Sequence, residues 1–431
     1  MCKDHFLESI HSRVFVISIS NSNSVQEDNK LYNVREISPQ IYWVGGNDRR
    51  LALFENLFPL TNGIAYNSYL IADEKTALLD SVDDSITGLY MENVAHVLDG
   101  RELDYLIINH MEPDHCGNIE NIVRRYPKVK VVGNAKSFQF FKQFYNMDIT
   151  ANQMIVAEGD ELNLGTHNLK FIFAPMVHWP EVMMNYETTK GILFSADAFG
   201  AFGALPGNLF ADELDYENLF LDEARRYYAN IVGKFGVQVQ AVFKKLEGLE
   251  VNMICSLHGP VFRKDISYIL GLYDKWSRYE PEKKGVVLFF GSMYGNTEMV
   301  INTLAAKLAE RGVSDMRVYD VSKTHSSYII SDIWKYSNIV AASPTYNMGI
   351  YHPMDNVLHE IASLGVRDRK VTLIGNHSWA SASYRLMHEM FSKLKNIEFV
   401  GDCLDVKSSL KETDLVQLDE MADAIAASVL E

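Results

Sequence analysis

Apolar and polar positions follow two different rhythms along this chain. Up to about residue 80, short apolar runs are separated by turn residues, which predicts strands over 41–44 (closed by Gly45 and Gly46), 66–71 and 76–79. The spacing then predicts a helix over 85–98, a buried strand over 103–108 (LDYLII), a helix over 119–126, a strand over 129–132, a helix over 137–144 and a strand over 169–174. Further apolar runs at 191–195 and 251–257 read as strands. Past residue 285 the alternation becomes regular. Strands are expected over 286–290, 316–321, 338–342, 370–375 and 397–400. Helices are expected over 298–311, near Ser331, Asp355 and Tyr384, and over 413–430. Five short buried strands with helical crossovers predict a doubly wound parallel sheet, whose ligand belongs outside the carboxyl ends of the strands.

Length and composition set the frame. A chain of 431 residues is too long for one ordinary core. The segment 20–29 is polar and poor in core formers, and 280–285 is charged and carries a proline. The expected organisation is an extension over 1–33, a first domain over 34–280 and a second over 281–431. No apolar run approaches the ~18 residues that cross a bilayer, and 14–19 is too short for the core of a signal peptide. The cytoplasm is therefore the expected location, with no membrane association. A net charge of −16 repels phosphate backbones and argues against nucleic-acid binding. Cys2, Cys116, Cys255 and Cys403 are scattered with no Cys-x-x-Cys pair, which argues against a disulfide framework, a zinc knuckle or a rubredoxin module. Cys116 and Cys255 read as buried inert thiols.

Chemistry concentrates at strand ends. The run 109–117 (NHMEPDHCG) follows the strand over 103–108 and offers His110, Glu112, Asp114 and His115 as metal donors. His110 and Glu112 share a side if the backbone is extended. Pro113 should hold the turn that brings Asp114 and His115 round, and Gly117 should let the chain turn away. His178, Asp197 and His258 each follow a later strand, and junctions on one edge of a sheet face a common cleft. Four imidazoles and three carboxylates without thiolate suit iron or manganese, with zinc chemically possible.

In the second half, Ser292, Met293, Tyr294, Gly295, Asn296 and Thr297 join a strand to a helix start, where backbone N–H groups and the helix dipole bind phosphate. The loop has no lysine, which speaks against a nucleoside triphosphate and for the monophosphate of FMN. Ser343, Pro344, Thr345, Tyr346 and Asn347 follow the third strand of this half, and Asn376, His377, Ser378 and Trp379 follow the fourth. Tyr346 and Trp379 are expected to flank a flat ring.

These runs resemble the flavodiiron proteins (A-type flavoproteins) from Val34 to the end of the chain. The resemblance implies an N-terminal metallo-β-lactamase-like αββα sandwich followed by a flavodoxin-like doubly wound parallel sheet, in the minimal two-domain class. Hydrolytic relatives carry His-x-His-x-Asp-His, whereas here Glu112 stands at the second histidine. The resemblance assigns His110, Glu112, His178 and Asp197 to one iron and Asp114, His115, Asp197 and His258 to the other, with Asp197 bridging. The SMYGNT and SPTYN runs are close to the family's FMN loops. The third loop departs, with Gly375-Asn-His-Ser-Trp379 where relatives have a glycine-rich run.

The implied activity is reduction of O2 to water, or of NO to N2O, at two irons fed by FMN. Two ferrous ions and a reduced FMN hold four electrons, which matches O2. An external donor such as rubredoxin and a head-to-tail homodimer are also implied. Tyr227 and Tyr228 place one phenol near the gas pocket or serve as helix-face packing, and Phe199 and Phe202 are expected to line that pocket. Two other readings remain: a zinc hydrolase of the metallo-β-lactamase type with an accessory flavodoxin domain, and a flavin electron carrier whose first domain is only structural.

Overall fold

The computed structural model describes residues 33–431, so the extension expected over 1–33 lies, but for Asn33, outside the described residues. Two sheets build the first half. One runs Arg35–Ser38, Ile41–Trp43, Tyr69–Ala72, Thr76–Leu79, Tyr105–Ile107, Lys130–Gly133 and Gln153–Ile155. It is antiparallel up to Thr76–Leu79 and parallel from there on. The other runs Glu161–Asn163, Asn168–Phe173, Met183–Glu187, Ile192–Phe194 and Met253–Cys255. Every residue of Thr76–Leu79 and of Ile192–Phe194 is buried, as strands covered on both faces require. Helices such as Thr87–Leu98, Ala135–Phe144 and Gly236–Leu246 complete the αββα sandwich.

One expected strand is two. The apolar run 66–71 divides into Ile64–Tyr66 and Tyr69–Ala72. Asn67 and Ser68 interrupt it because their side chains are committed elsewhere. Asn67 accepts from Trp43 Nε1 at 2.8 Å and donates to the carbonyls of Ser256 and Gly259, both at 2.9 Å. Ser68 Oγ donates to the carbonyl oxygens of Leu79 and Asp80. Asn67 thus ties one sheet to the loop that carries His258, and Ser68 ties its strand to the end of Thr76–Leu79.

The second half is a parallel sheet in the order Met316–Asp320, Lys283–Phe290, Tyr336–Tyr346, Arg369–His377 and Ile397–Phe399, the 2-1-3-4-5 arrangement of a flavodoxin-like sheet. The last strand expected by pattern, 397–400, is only half of that edge. Leu404–Lys407 also pairs with Arg369–His377 and carries the sheet on towards its carboxyl end. Strand alternation splits the core. Val287, Phe289, Ile339 and Ala341 join the apolar cluster of the first half, whereas Val286, Leu288, Phe290 and Val340 pack under Leu304, Leu308, Leu418 and Met421.

The stretch 280–285 reads as a linker but is not a loose tether. The Lys283–Phe290 strand begins inside it. The Glu282 carboxylate accepts from Trp276 Nε1 at 2.6 Å and from Arg225 Nη2 at 2.8 Å. Nearby, Arg226 donates to Ser327 Oγ at 2.9 Å and lies over the Tyr328 ring at 4.0 Å. Those contacts join the helices Leu221–Tyr227 and Ser326–Lys335. No helix among the described residues is long and apolar enough to cross a membrane.

Candidate functional site

The run 109–117 leaves the strand Tyr105–Ile107 and enters a single helical turn, Pro113–Cys116, with Pro113 at its first turn and Glu112 just ahead of it. The extended residue Glu112 and the short helix aim His110, Glu112, Asp114 and His115 into one space. Gly117 does not turn the chain away as the sequence suggests. It continues the helical backbone (φ −52°), and a Cβ there would stand 2.9 Å from the Pro113 carbonyl oxygen. Close approach, rather than a turn, is what requires glycine.

The other three donors arrive from the second sheet: His178 after Asn168–Phe173, Asp197 after Ile192–Phe194, and His258 after Met253–Cys255. The cleft therefore lies between two facing sheets, and not along the edge of one. Ligand atoms of His110, Glu112, His178 and Asp197 all lie within 4.8 Å of one another, as do those of Asp114, His115 and His258.

Asp197 joins the two groups. Its Oδ2 is 3.2 Å from both His110 Nε2 and His178 Nε2, while its Oδ1 is 3.0 Å from His115 Nε2 and 3.7 Å from His258 Nε2. Glu112 Oε2 stands 3.2 Å from His110 Nε2 and 3.0 Å from His178 Nε2, and Asp114 Oδ2 stands 3.2 Å from His258 Nε2. Two ligands at ~2.1 Å from one ion and at right angles are ~3 Å apart, so the spacing is that of edges of a coordination shell. The donor atoms also lack other employment. Both oxygens of Asp114 and of Asp197, both ring nitrogens of His115 and Nε2 of His258 are buried without a hydrogen-bond partner. Orphaned buried acceptors of this number are costly unless a cation holds them.

Charge follows the same logic. Burial works to lower the basicity of His110, His115 and His178, yet the neighbouring carboxylates prevail. His110 is raised well above its ordinary value, and His115 and His178 are raised to about 9. Asp197 is correspondingly held far below the usual carboxylate range, against burial, by the His115 and His110 imidazoles.

The sequence reading missed several partners. Glu181, fully buried, lies 2.8 Å from His110 Nδ1 and accepts the backbone N–H of Met111 at 2.9 Å. His258 Nδ1 lies 2.9 Å from the Ala65 carbonyl oxygen. Both contacts take the proton of Nδ1 and leave Nε2 free for the cleft. Asp80 accepts the backbone N–H of Asn109 at 2.7 Å and of His110 at 3.2 Å. Glu55, in the turn between Leu53–Phe54 and Phe58–Pro59, meets Glu112; desolvation and the Glu112 and Asp114 charges push it up to about 8. None of these pairings has a local sequence signal, because each joins residues far apart in the chain.

Around the donors the wall is aromatic. Phe54, Tyr66 and Tyr227 surround the His258 ring at 5.3, 5.8 and 5.5 Å between centroids, and Trp179 meets His110 at 5.3 Å. Of the two expected phenols, Tyr227 faces the site: burial and the Asp197 and Glu112 charges keep it protonated. Tyr228 turns away and packs on Tyr273 and Trp276. Phe202 stands behind Tyr227 at 5.1 Å, whereas Phe199 packs on Tyr273 at 4.2 Å, away from the donors. Cys116 and Cys255 are buried; burial pushes the Cys116 thiol up to about 12, which keeps it inert.

The flavodoxin-like half carries a cavity of about 510 Å³ at the carboxyl ends of its strands. All the expected loop residues line it except Gly295 and Ser343. Gly295 precedes the helix Asn296–Glu310 with φ +89°, a conformation that favours glycine. Ser343 is buried beneath the loop and accepts the Tyr351 N–H at 3.4 Å. Ser292 Oγ accepts the N–H of Gly295 at 3.1 Å. The remaining N–H groups of the helix start, with hydroxyls of Ser292 and Thr297, make a neutral anion cradle that fits a monophosphate. Tyr346, Trp379 and Tyr294 line the cavity, and Trp379 and Tyr294 are each 92% exposed. Met348, Ala380 and Ser408 also line it and were not read from the sequence.

Comparison with known proteins agrees with this geometry. A family model described as "ODP family beta lactamase" matches residues 64–259, and one described as "Flavodoxin" matches residues 288–417. An uncharacterised protein of Methanocaldococcus jannaschii is 30% identical over 396 residues, covering 91% of this chain and 98% of that one. An anaerobic nitric oxide reductase flavorubredoxin of Escherichia coli is 30% identical over 352 residues, covering 80% of this chain and 73% of that one. Among solved structures, the rubredoxin:oxygen oxidoreductase of Desulfovibrio gigas superposes with a TM-score of 0.86 at 27% identity, covering 92% of this chain and 98% of that one. Two donor groups sharing one aspartate, a flavodoxin-like cradle and these relatives lead to one conclusion: the chain belongs to the flavodiiron protein family.

Proposed function

We propose that this chain reduces O2 to water at a non-haem diiron site, with electrons delivered through FMN from a separate redox protein such as a rubredoxin. The coarser statement, an oxidoreductase of the flavodiiron type that acts on O2 or NO with FMN and two irons as cofactors, follows from the family. The observation that carries the two-metal, flavin-fed part of this reading is the sharing of Asp197, one carboxylate oxygen towards each donor group, in a chain that also holds a flavin cradle.

In this reading His110, Glu112, His178 and Asp197 would hold one iron, and Asp114, His115, His258 and the shared Asp197 would hold the other. Three carboxylates against two divalent ions leave a small net charge in a buried site. Glu112, a hard anion in place of an imidazole, suits higher oxidation states. When bound, the irons supply gas-binding positions and two electrons, and reduced FMN supplies the other two. The chain's own residues do the rest. Glu181 and the Ala65 carbonyl oxygen fix the tautomers of His110 and His258. Phe54, Phe202 and Trp179 keep water out, and the Tyr227 hydroxyl keeps its proton at every working pH. Ser292, Thr297 and the helix N–H groups would hold the flavin phosphate, and Tyr346 and Trp379 would supply aromatic walls for the ring.

The domains so used are 34–280 for the irons and 281–431 for FMN. The preference for O2 rests on the count of four electrons. Parallel steady-state assays with O2 and NO and one chemically reduced donor test it: a higher kcat/KM for O2 is expected, and a higher value for NO overturns it. Electron transfer is proposed to cross a head-to-tail homodimer. A mixed dimer of one metal-dead and one flavin-dead chain should then regain activity that both parents lack, and a dead mixed dimer excludes the route.

A further inference from the structure

The third loop of the cradle, which begins with Asn376 and His377, carries a side-chain relay. His377 Nδ1 lies 3.0 Å from Asp405 Oδ1, and the Ser381 hydroxyl donates to Asp405 Oδ2. Asp405 arrives on Leu404–Lys407, which pairs in parallel with Arg369–His377 and sets Asp405 opposite Gly375. A Cβ at Gly375 would stand 2.7 Å from Asp405 Oδ1, so this carboxylate can lie against the strand only because the residue is glycine. The dyad is therefore built by strand register, not by chance contact of two surface side chains.

The carboxylate decides what His377 presents. An ionised aspartate accepts only, so the ring proton sits on Nδ1 and the Nε2 lone pair is left open. Nε2 has no hydrogen-bond partner among the described residues, and the ring lines the flavin cavity. Two neighbours are tied to Ser408: Asn376 Nδ2 donates to the Ser408 carbonyl oxygen at 3.0 Å, and Ser378 Oγ accepts from Ser408 Oγ at 3.0 Å. An oxidised isoalloxazine ring carries a single N–H, at N3, between two carbonyl groups. An imidazole lone pair is a complementary partner for that N–H.

We infer that His377 accepts a hydrogen bond through Nε2 from the N3–H of bound flavin, and that Asp405, with Ser381 behind it, is the positioning residue that fixes the tautomer needed for this. The inference rests on the FMN reading above and adds to it a residue outside the three loops. It also accounts for Asp405 as part of the flavin site, although it touches no phosphate. Replacing Asp405 by asparagine is the informative change, because an amide can donate to Nδ1. The proton then moves to Nε2, and a donor faces the flavin N–H.

The test compares apoprotein titrated with FMN and with 3-methyl-FMN, which lacks the N–H, by quenching of flavin fluorescence. Wild type, His377→Ala, Asp405→Asn and Asp405→Ala are used as full chains, with bound iron as the check on folding. Wild type is expected to favour FMN over the 3-methyl analogue by about tenfold. His377→Ala and Asp405→Asn should each lose about tenfold in FMN affinity and bind the two flavins equally, with iron content unchanged. Wild-type discrimination retained in His377→Ala, or FMN affinity unchanged in Asp405→Asn, overturns the inference while the FMN reading stands. Absence of FMN binding by wild type overturns both.

Discussion

Glu112 and Asp197 give this centre its character, and Glu181 holds it in register. The Glu181 contact to His110 Nδ1 at 2.8 Å is the means by which Nε2 faces Asp197 and Glu112. Glu181→Gln keeps the shape but offers a weaker acceptor, so iron affinity is expected to fall 10- to 100-fold. Competition against a colorimetric chelator measures it; unchanged affinity would mean that Glu181 only packs. The same residues set a pH dependence. His115 and His178 are raised to about 9 by the carboxylates around them, so in the metal-free chain they hold protons at neutral pH. A metal needs their lone pairs, and loading must release those protons. Apparent iron affinity should therefore climb from pH 6 towards pH 9 and level off above it, with protons released on binding at neutral pH. Loading that is independent of pH contradicts the assignment. Much of this centre was legible at the scale of residues: His110, Glu112, Asp114 and His115 crowd one loop, and Asp197 and His258 end strands. Glu181, Glu55 and Asp405 were not, because each gains its role only from a partner that the fold brings from a distant segment.

At the scale of elements, the break between Ile64–Tyr66 and Tyr69–Ala72 is what the apolar pattern concealed. Periodicity registers that 66–71 is buried, but not that Asn67 spends its amide on the loop before and after His258. The Asn67 backbone N–H also donates to Leu257 at 2.7 Å, so three bonds from one residue bracket the ligand. Asn67→Ala leaves the carbonyl of Gly259 and the indole of Trp43 unsatisfied in the interior, while the Ser256 carbonyl keeps the Tyr69 hydroxyl at 2.8 Å. A loss of about 3 kcal/mol in unfolding free energy is expected, with weaker iron retention at the Asp114–His115–His258 group than at the other. Denaturant unfolding together with iron content checks both. A stable variant that keeps two irons would show that the loop is held by other means. The edge of the flavodoxin-like sheet was likewise half-read: Ile397–Phe399 was visible as an apolar run, whereas Leu404–Lys407, with alternating exposed positions, was not.

Over the whole molecule, the two halves share one apolar cluster, which a charged, proline-bearing stretch at 280–285 hides from a sequence reading. Glu282 sits at the join, accepting from Trp276 and from Arg225, whose side chain is 1% exposed. Glu282→Ala strands that buried guanidinium with only Asp222 to face it, at a cost of about 3 kcal/mol. Wild type is expected to unfold in one transition and this variant in a broader one with a separable flavodoxin-like step. Identical transitions in both would place the coupling elsewhere. In the proposed function, flavin and metal centre act together as a four-electron store. Anaerobic reduction of the holoprotein, followed by stepwise addition of O2 with flavin absorbance and peroxide recorded, tests it most directly. One O2 should reoxidise one FMN and both irons per chain with no peroxide; reoxidation of one FMN per O2 with stoichiometric peroxide and no dependence on iron would contradict it.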